Sequence, residues 1–382
     1  MSGIRRRGAS RGRRRRLAEF SAALKPGRLL DRYIFGALLQ QVCVVLLALV
    51  AIFTFFAILE QLEDVGAGRY NLGIALLLAV YQIPTLAQQL APIAALIGAL
   101  VCVGGLVTNN EITAMRAAGV GLWRVVTTAV LAALCFGTLA LVVADLTVPP
   151  SQRAERQLKA LVKGVDNTLQ LRTGYWARDG QRFVNIRGVR PDGEVVGVLI
   201  HEFDAEHRLR LRTEAVSARW IDGEWLLSGV RQRVFLEDRV ELHELPAATW
   251  SSPLRPDLID MVTVEPEALS MRDLHVYASF LERNAQDSER YRQALAAKYV
   301  FPLASAAMVL LAIPLVFTTP RDGGMGLRIP LGVLIGLVFH VANQAASDVG
   351  VVYGLPPLLA ALFPSLIAIS AAMLLFRRMR SG

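Results

Sequence analysis

The chain has 382 residues, of which 54% are hydrophobic, and its formal net charge is +9. Soluble domains contain about 45–50% apolar residues, and the excess here lies in long blocks, which excludes an ordinary soluble domain and is typical of membrane spans. The charge is concentrated at one end, with eleven Lys and Arg residues before Tyr33, which favours a basic tail on a membrane protein over a nucleic-acid-binding surface.

Residues 1–29 are predicted to form a basic cytoplasmic tail, which contains the run RGRRRR at Arg11–Arg16. Two interpretations remain open: the tail contacts anionic lipid, or its charge only holds the N-terminus in the cytoplasm. The apolar segment that follows exceeds the core of a signal peptide, which has about 7–15 residues. We therefore expect a retained span.

The apolar blocks predict a polytopic α-helical membrane protein with six transmembrane helices. The second block would be about 54 Å long as a helix, against a hydrocarbon core of about 30 Å. It contains Pro84 and Pro92, so we predict one long helix that is tilted or kinked. The predicted spans are 33–59, 72–107, 122–146, 292–318, 329–350 and 356–376.

The positive-inside rule gives the orientation. With the N-terminus in the cytoplasm, the loops 108–121 and 319–328 and the C-terminus also lie inside. These segments carry most of the basic residues near span ends, namely Arg116, Arg321, Arg328, Arg377, Arg378 and Arg380. Residues 30–146 are therefore expected to hold helices 1–3 with the inner loop, and 271–382 a periplasmic helix that leads into helices 4–6.

Residues 147–270 are predicted to form a periplasmic all-β domain. Segments such as QRFVNIRGV and LRLRTEAVSARW alternate apolar and polar residues, as half-buried strands do. Asp-Gly pairs at 179–180, 192–193 and 222–223 predict tight turns between them. Many short strands at this spacing suggest a jelly-roll-like arrangement. After them, Ser270 is expected to cap a helix, with Asp273 three residues on.

The chain shows no motif of an enzyme. It lacks G-x-x-x-x-G-K-[ST] and G-x-S-x-G, so neither a P-loop nor a hydrolase nucleophile is predicted. His201 and His207 are six residues apart, not at the i, i+4 spacing of two ligands on one helix face. We therefore expect no catalytic residue, no metal site and no cofactor bound by this chain.

The inner loop TNNEITAMRAAGV, 108–120, predicts a short polar helix between two spans. Thr108 and Glu111 fit a capping box, and Gly119 is expected to end the helix. Two interpretations remain open for Glu111: it reaches back to the Thr108 N–H, or the helix docks into a groove on a soluble partner. Exposed Ile112 and Met115 side chains would favour docking slightly.

Two further groups of polar residues lie near the membrane. In the fifth span, a polar stripe falls on one helix face, and it predicts either contacts between helices or the wall of a polar cavity. At the outer end of the first span, three acidic residues face only one basic residue, Arg69. The stripe comprises His340, Asn343, Gln344, Ser347 and Asp348, and the acidic residues are Glu60, Glu63 and Asp64.

Five motifs spread along the chain resemble the LptF/LptG permeases of the lipopolysaccharide exporter, an ABC transporter. They lie outside the basic tail, and the last two are most similar to the LptG half. The motifs are LDRYIF (Leu30–Phe35), APIAALIGAL (Ala91–Leu100), NEITAMRAAGV (Asn110–Val120), ERYRQALAAKYVFPLA (Glu289–Ala304) and VYGLPPLLAALFPS (Val352–Ser365).

The resemblance implies an LptF–LptG pair on an LptB ATPase dimer, with ATP and Mg bound by the ATPase. It implies that lipopolysaccharide enters a cavity between the halves from the outer leaflet of the inner membrane. It also implies that the periplasmic β domains join LptC and LptA in a β bridge toward the outer membrane. The strands of 170–245 would supply an edge for such pairing.

The resemblance also assigns residues. Glu111 would pair with a basic residue of the ATPase, Ile112 and Met115 would fill its groove, and Arg116 lies beside them. Apart from the resemblance, the polar-cavity interpretation of the fifth span would place His340, Asn343 and Gln344 along the lipid cavity. LptG relatives often carry lysines at the outer end of the first span, but the corresponding positions here include Glu63 and Asp64, so that phosphate contact is transferred only to Arg69.

A second function class is a structural envelope protein whose spans only anchor a periplasmic β domain. Such an anchor has little need for six spans or for polar residues in the fifth. An ion-coupled transporter would need buried carboxylates in the middle of the membrane, and Asp348 lies near a span end. The sequence therefore favours a permease subunit that couples ATP hydrolysis in a partner to lipid extraction.

Overall fold

The computed structural model describes residues 26–63, 65–66, 70–163, 169–190, 193–236, 238–252, 254–262, 264–318 and 324–381. Within them, six helices are long and apolar enough to cross a membrane, which confirms the polytopic helical fold. Most of the predicted tail, 1–25, lies outside the described residues, while 26–29 already belong to the first helix.

All the described strands lie between the third and fourth spans along the chain. The first, second, fourth, seventh, eighth and ninth helices are the spans. The bounds are α1 Pro26–Leu62, α2 Leu72–Thr108, α3 Glu111–Ala117, α4 Leu122–Lys163, α5 Pro256–Val262, α6 Met271–Arg283, α7 Glu289–Thr318, α8 Gly324–Val352 and α9 Pro357–Ser381, with a 3-10 turn at Pro266–Ala268.

Helices α2 and α7 form the centre of the membrane bundle. Helix α2 contacts α1, α4, α7 and α8, and α7 also contacts α4 and α9. Close approach depends on small residues: a Cβ at Gly98 would lie 2.7 Å from the Val42 Cα, and one at Gly137 would lie 2.8 Å from the Pro302 Cα. Small residues at such crossings let helix backbones touch in a membrane.

Helix α2 is continuous through Pro84 and Pro92, so the prediction of one long helix is confirmed.

The described strands form one antiparallel sheet of six, in the order β1 to β6 along the chain. The all-β insertion is confirmed, but a jelly roll crosses between two sheets, so the predicted jelly-roll-like order is corrected to a meander. Short hairpin turns join consecutive strands directly. The strands are β1 Leu169–Asp179, β2 Arg182–Val189, β3 Val195–Phe203, β4 Leu209–Ile221, β5 Glu224–Phe235 and β6 Val240–Trp250.

Two of the predicted Asp-Gly turns lie within the described residues. Gly180 has φ +61°, and Asp222 and Gly223 have φ +51° and +92°. Backbone of this hand matches the twist of the flanking strands, so both turns are confirmed, while Asp192 lies outside the described residues.

One face of the sheet packs against helices that rise from the membrane. Trp225, Val184 and Ile186 are almost fully buried in a core that also contains Leu274 and Tyr277 of α6. The Ser270 hydroxyl accepts a hydrogen bond from the Asp273 N–H at 3.1 Å, which confirms the predicted cap. This shared core fixes the sheet to the ends of the spans that the charge bias predicts to be the outer ends.

The third span differs from its predicted bounds. Helix α4 continues to Lys163 through Pro149 and Pro150, so residues 147–163, expected in the β domain, are helical. Packing overrides the fall in hydrophobicity: Val148 is 1% exposed within the core of the sheet, and Glu155 is 7% exposed. This extension stands outside the predicted membrane boundary.

Candidate functional site

The short helix α3 lies between α2 and α4, at the end of the bundle that the charge bias predicts to be the inner end. Its N-cap is Asn110, with φ +59° and no side-chain cap, a backbone conformation that Asn tolerates better than most residues. Thr108 is the last residue of α2, and its hydroxyl donates to the Gly104 carbonyl at 2.8 Å. The capping-box prediction is therefore wrong, because Thr108 already belongs to the preceding helix.

Glu111 instead contacts the first span. The Tyr33 hydroxyl donates to the Glu111 Oε2 at 2.9 Å, and the Glu111 side chain remains partly exposed. The carboxylate thus lies beside α1, with only this one hydrogen bond among the described residues.

The other end of α3 is closed by glycine, as predicted. Gly119 has φ +82°, its N–H donates to the Arg116 carbonyl at 3.0 Å, and the Val120 N–H donates to the Met115 carbonyl at 2.9 Å. This pair of bonds is a Schellman motif. It ends the helix sharply and returns the chain to α4.

The two apolar side chains of α3 differ in exposure. Ile112 is 4% exposed within the membrane core, so the expectation that it is exposed is wrong. The reason is that the apolar side of so short a helix turns toward the bundle to which it is joined. Met115 is half-buried, and Arg116 is exposed. The free face of α3 therefore offers Glu111, Met115 and Arg116.

Sequence reasoning missed an ion pair beside this helix. The Arg124 guanidinium of α4 donates to both carboxylate oxygens of Asp31 at 3.0 Å, and the Thr128 hydroxyl donates to Asp31 Oδ1 at 3.3 Å. The available signal was a charged residue near the start of each of two different spans. These contacts hold the inner end of α1 against α4.

The polar stripe of α8 faces away from this chain's own bundle. His340, Gln344 and Asp348 are exposed, and Asn343 and Ser347 are half-buried. Among the described residues, none of these five side chains makes a hydrogen bond. A role as contacts between this chain's own helices is therefore not supported, and the stripe is available to a partner, a lipid or water.

The outer end of α1 carries acid. Glu60 and Glu63 are exposed, while Asp64 and Arg69 lie outside the described residues. Basic residues occur instead on the extension of α4, where Arg153 lies 3.5 Å from Asp273 and Lys159 lies 2.8 Å from Glu155. The assignment of the extension to the β domain hid this positive segment from sequence reasoning.

A second ionic contact joins the spans to α6, the helix that follows the sheet. Lys298 of α7 lies 3.0 Å from Asp145 of α4, and the same Asp145 oxygen accepts the Met271 N–H at the start of α6, at 2.8 Å. The Lys298 side chain is 4% exposed. One carboxylate thus connects α4, α7 and α6. Asp145 and Lys298 are 153 positions apart in the sequence, which explains why the sequence did not reveal the contact.

The sheet has two edges. In the described strands, β1 pairs only with β2, and β6 pairs only with β5. Strand β6 contains Pro246, a residue confined to edges in sheets, and its Val240 and Leu242 side chains are both 56% exposed. Unpaired backbone groups with apolar neighbours can accept a further strand.

Titratable groups on the sheet show no catalytic arrangement. His201 stacks on Trp176 with ring centroids 5.9 Å apart, and burial, with the nearby Arg212 charge, lowers the pKa of His201. Among the described residues, no three His, Cys, Asp or Glu side chains lie together as metal ligands would.

The sequence was compared with known proteins. A family model described as lipopolysaccharide export system permease LptF/LptG matches residues 32–378. The lipopolysaccharide export system permease protein LptG of Haemophilus influenzae is 30% identical over 353 residues, which cover 92% of this chain and 99% of that protein. The protein of the same name from Escherichia coli K12 is 31% identical over 346 residues, covering 90% and 96%.

Proposed function

Because this chain belongs to the LptF/LptG family of lipopolysaccharide export system permeases, we propose that it is an LptG-like half-permease driven by a separate ATPase. It is a multi-pass inner-membrane protein of the lipopolysaccharide export system. In the proposed mechanism, the chain has no catalytic residue of its own, and ATP and Mg bind in an LptB-like partner. The single observation that supports this most is the free face of α3.

Helix α3 has the properties of a docking element. Its buried residue, Ile112, anchors it to the bundle, so the helix cannot move without moving the spans. Its free face combines an acid, a flexible apolar side chain and a base, in Glu111, Met115 and Arg116. A helix that fills a groove needs such an apolar anchor with a polar rim. Met adapts to irregular grooves, and Glu111 would meet a basic residue at the rim.

The lipid cavity requires a second half. The most apolar windows of α1 and α8 are only 11% and 17% buried, whereas that of α2 is 78% buried. Helices α1 and α8 therefore need cover from lipid or from another protein. An LptF-like half facing them would enclose a space with apolar walls from α1 and polar groups from His340, Asn343 and Gln344. Such a space suits a lipid with acyl chains and a polar head.

The head group of lipopolysaccharide is anionic, so the cavity needs cations at its outer rim. The acids Glu60 and Glu63 do not provide them. Arg69 remains a candidate from the resemblance. The extension of α4 adds Arg153, Arg156 and Lys159 above the membrane, and the acidic residue among them is Glu155. A phosphate group that binds this segment would compete with Asp273 for Arg153 and with Glu155 for Lys159.

The sheet would carry the lipid onward. With both termini in the cytoplasm, as the charge bias predicts, the sheet lies in the periplasm. Its edge strand β6 or β1 would pair with LptC-like and LptA-like proteins by β-augmentation. The edge offers unpaired backbone groups for affinity, and exposed Val240 and Leu242 offer side-chain contacts.

Co-purification tests the docking role. The chain is co-expressed with an LptB-like ATPase and an LptF-like half, with wild-type sequence or with Glu111→Ala or Met115→Asp. Met115→Asp should lower the amount of co-purified ATPase about tenfold, equivalent to about 1.4 kcal/mol, because it places a charge in the groove. Glu224→Ala, an exposed acid on the sheet, is the control. Unchanged ATPase recovery and lipopolysaccharide release in both α3 variants would refute the role.

A further inference from the structure

The N-terminal part of α1 is held on two sides. Its Tyr33 hydroxyl reaches Glu111 of α3 at 2.9 Å, 78 residues further along the chain. Two residues earlier, Asp31 forms two hydrogen bonds with Arg124 of α4, each 3.0 Å long. The inner end of α1 therefore bridges the docking helix and the third span.

The chemistry of the Tyr33 contact differs from that of an ion pair. A phenol O–H is neutral, so it fixes one carboxylate oxygen of Glu111 without cancelling the negative charge. Hydrogen bonds to an ionised acceptor are stronger than bonds between neutral groups. The second oxygen, Oε1, makes no hydrogen bond within the described residues. The contact thus orients a charged acceptor and leaves half of it free.

The position of α1 gives this contact a further consequence. The most apolar window of α1 is 11% buried, so much of the helix surface lies outside the bundle. A displacement of α3 can therefore reach α1 through the Tyr33–Glu111 bond, in addition to its path through the buried Ile112.

We propose that Tyr33 is a positioning residue for Glu111. Its hydroxyl holds the carboxylate so that the free oxygen faces a basic group of the ATPase partner, and it joins α1 to the docking helix. This role rests on the proposed function, because it requires that α3 binds an ATPase. It adds a residue outside α3 to the coupling site.

A double-mutant cycle tests the role. Tyr33→Phe, Glu111→Ala and the double variant are purified in complex with the LptF-like half, and the affinity for the LptB-like ATPase is measured with lipopolysaccharide release per ATP. Tyr33→Phe keeps the ring and removes the hydroxyl. It should weaken the affinity about three- to tenfold in the wild-type background. In the Glu111→Ala background, it should change the affinity by less than about 1.5-fold.

Tyr353→Phe is the matched control, since Tyr353 is 75% exposed at the opposite side of the bundle, and it should leave both quantities unchanged. Equal effects of Tyr33→Phe in both backgrounds would show that Tyr33 acts only through packing of α1, and would overturn the positioning role. The positioning role would also be overturned if Tyr33→Phe had no effect while Glu111→Ala weakened the affinity. In that case the proposed docking function of α3 would still stand. A silent Glu111→Ala and Met115→Asp would overturn both proposals.

Discussion

The inner and outer ends of the membrane bundle are joined to their neighbours by different kinds of contact. At the inner end, α3 is joined to α1 by one partly exposed hydrogen bond, from Tyr33 to Glu111. At the outer end, a single oxygen of Asp145 receives both the buried Lys298 ammonium and the backbone N–H of Met271. Exposed contacts contribute little to stability, whereas breaking a buried charge pair is costly.

This difference in contacts predicts that the inner end can rearrange and that the outer end stays rigid. A partner can rearrange the inner contacts at small cost, because water replaces the lost hydrogen bonds there. The outer contacts resist rearrangement, since Lys298 has no access to water once its partner leaves. Motion that enters at α3 should therefore reach the sheet as rigid displacement of α4 and α7, and not as bending at their outer ends.

The largest expected effect is at Asp145. Asp145→Ala leaves the buried Lys298 charge without a partner and should lower the free energy of unfolding by about 3 kcal/mol. Asp31→Ala, which breaks an ion pair whose side chains are 37% and 46% exposed, should cost much less, because water screens the pair. Chemical unfolding of each purified variant in detergent measures both.

The double variant Asp145→Ala with Lys298→Met provides the check. Removing the stranded charge should restore part of the stability lost in Asp145→Ala. If Asp145→Ala is no more destabilising than Asp31→Ala, the proposed difference between the two ends is wrong.

A smaller effect is expected at the end of α3. Gly119→Ala places a Cβ at φ +82°, which costs about 1 kcal/mol for an L-residue. The strain should loosen the Schellman motif and speed hydrogen exchange of the amides of Glu111–Ala117. Gly121→Ala, which also meets open space but has no positive φ, is the control. Equal exchange in the two variants would show that α3 does not depend on this turn.

The smallest effect concerns the sheet, away from both ends. Because burial lowers the pKa of His201, the unfolded chain takes up a proton at higher pH than the folded sheet does. The stability that neutral His201 contributes is fully present above about pH 6.5, the usual pKa of histidine. It is lost as the pH falls toward the lower pKa that His201 has in the folded chain. Solvent screening keeps the effect small, since the ring is only partly buried.

Thermal unfolding at about pH 7.5 and about pH 5.5 compares wild type with His201→Gln. The variant should lose less stability on acidification than the wild type. His207→Asn, in an exposed turn of the same sheet, should behave as the wild type. A larger acid loss in His201→Gln would contradict the sign of the shift.

The spans could be predicted because their signal is local. Long apolar runs fix the number of helices, and Asp-Gly pairs fix the hairpin turns at Gly180 and Gly223. The end of α4 could not be predicted the same way, because Val148 packs in the core of the sheet and Glu155 accepts a hydrogen bond from Gln82 of α2, both far away along the chain. Propensity around Pro149 and Pro150 indicates an end, and tertiary packing overrides it.

The candidate site was only partly accessible from sequence for a related reason. The free face of α3, the glycine at 119 and the polar stripe of α8 follow from periodicity within single helices. The direction of Ile112 does not, since a helix of two turns can place its apolar side toward a groove or toward its own bundle. Tyr33 and Asp145 were missed because their partners lie far along the chain.

The unbroken length of α4 has a consequence for the direction in which the sheet faces. Its 42 residues make a rod of about 63 Å, roughly twice the thickness of the hydrocarbon core. Adding a single residue to that rod would rotate everything beyond it by about 100° around the helix axis, whereas adding about seven would nearly restore the original azimuth. The number of residues between Arg124 and Lys159 therefore sets the direction in which the free edge of β6 points around the axis of α4.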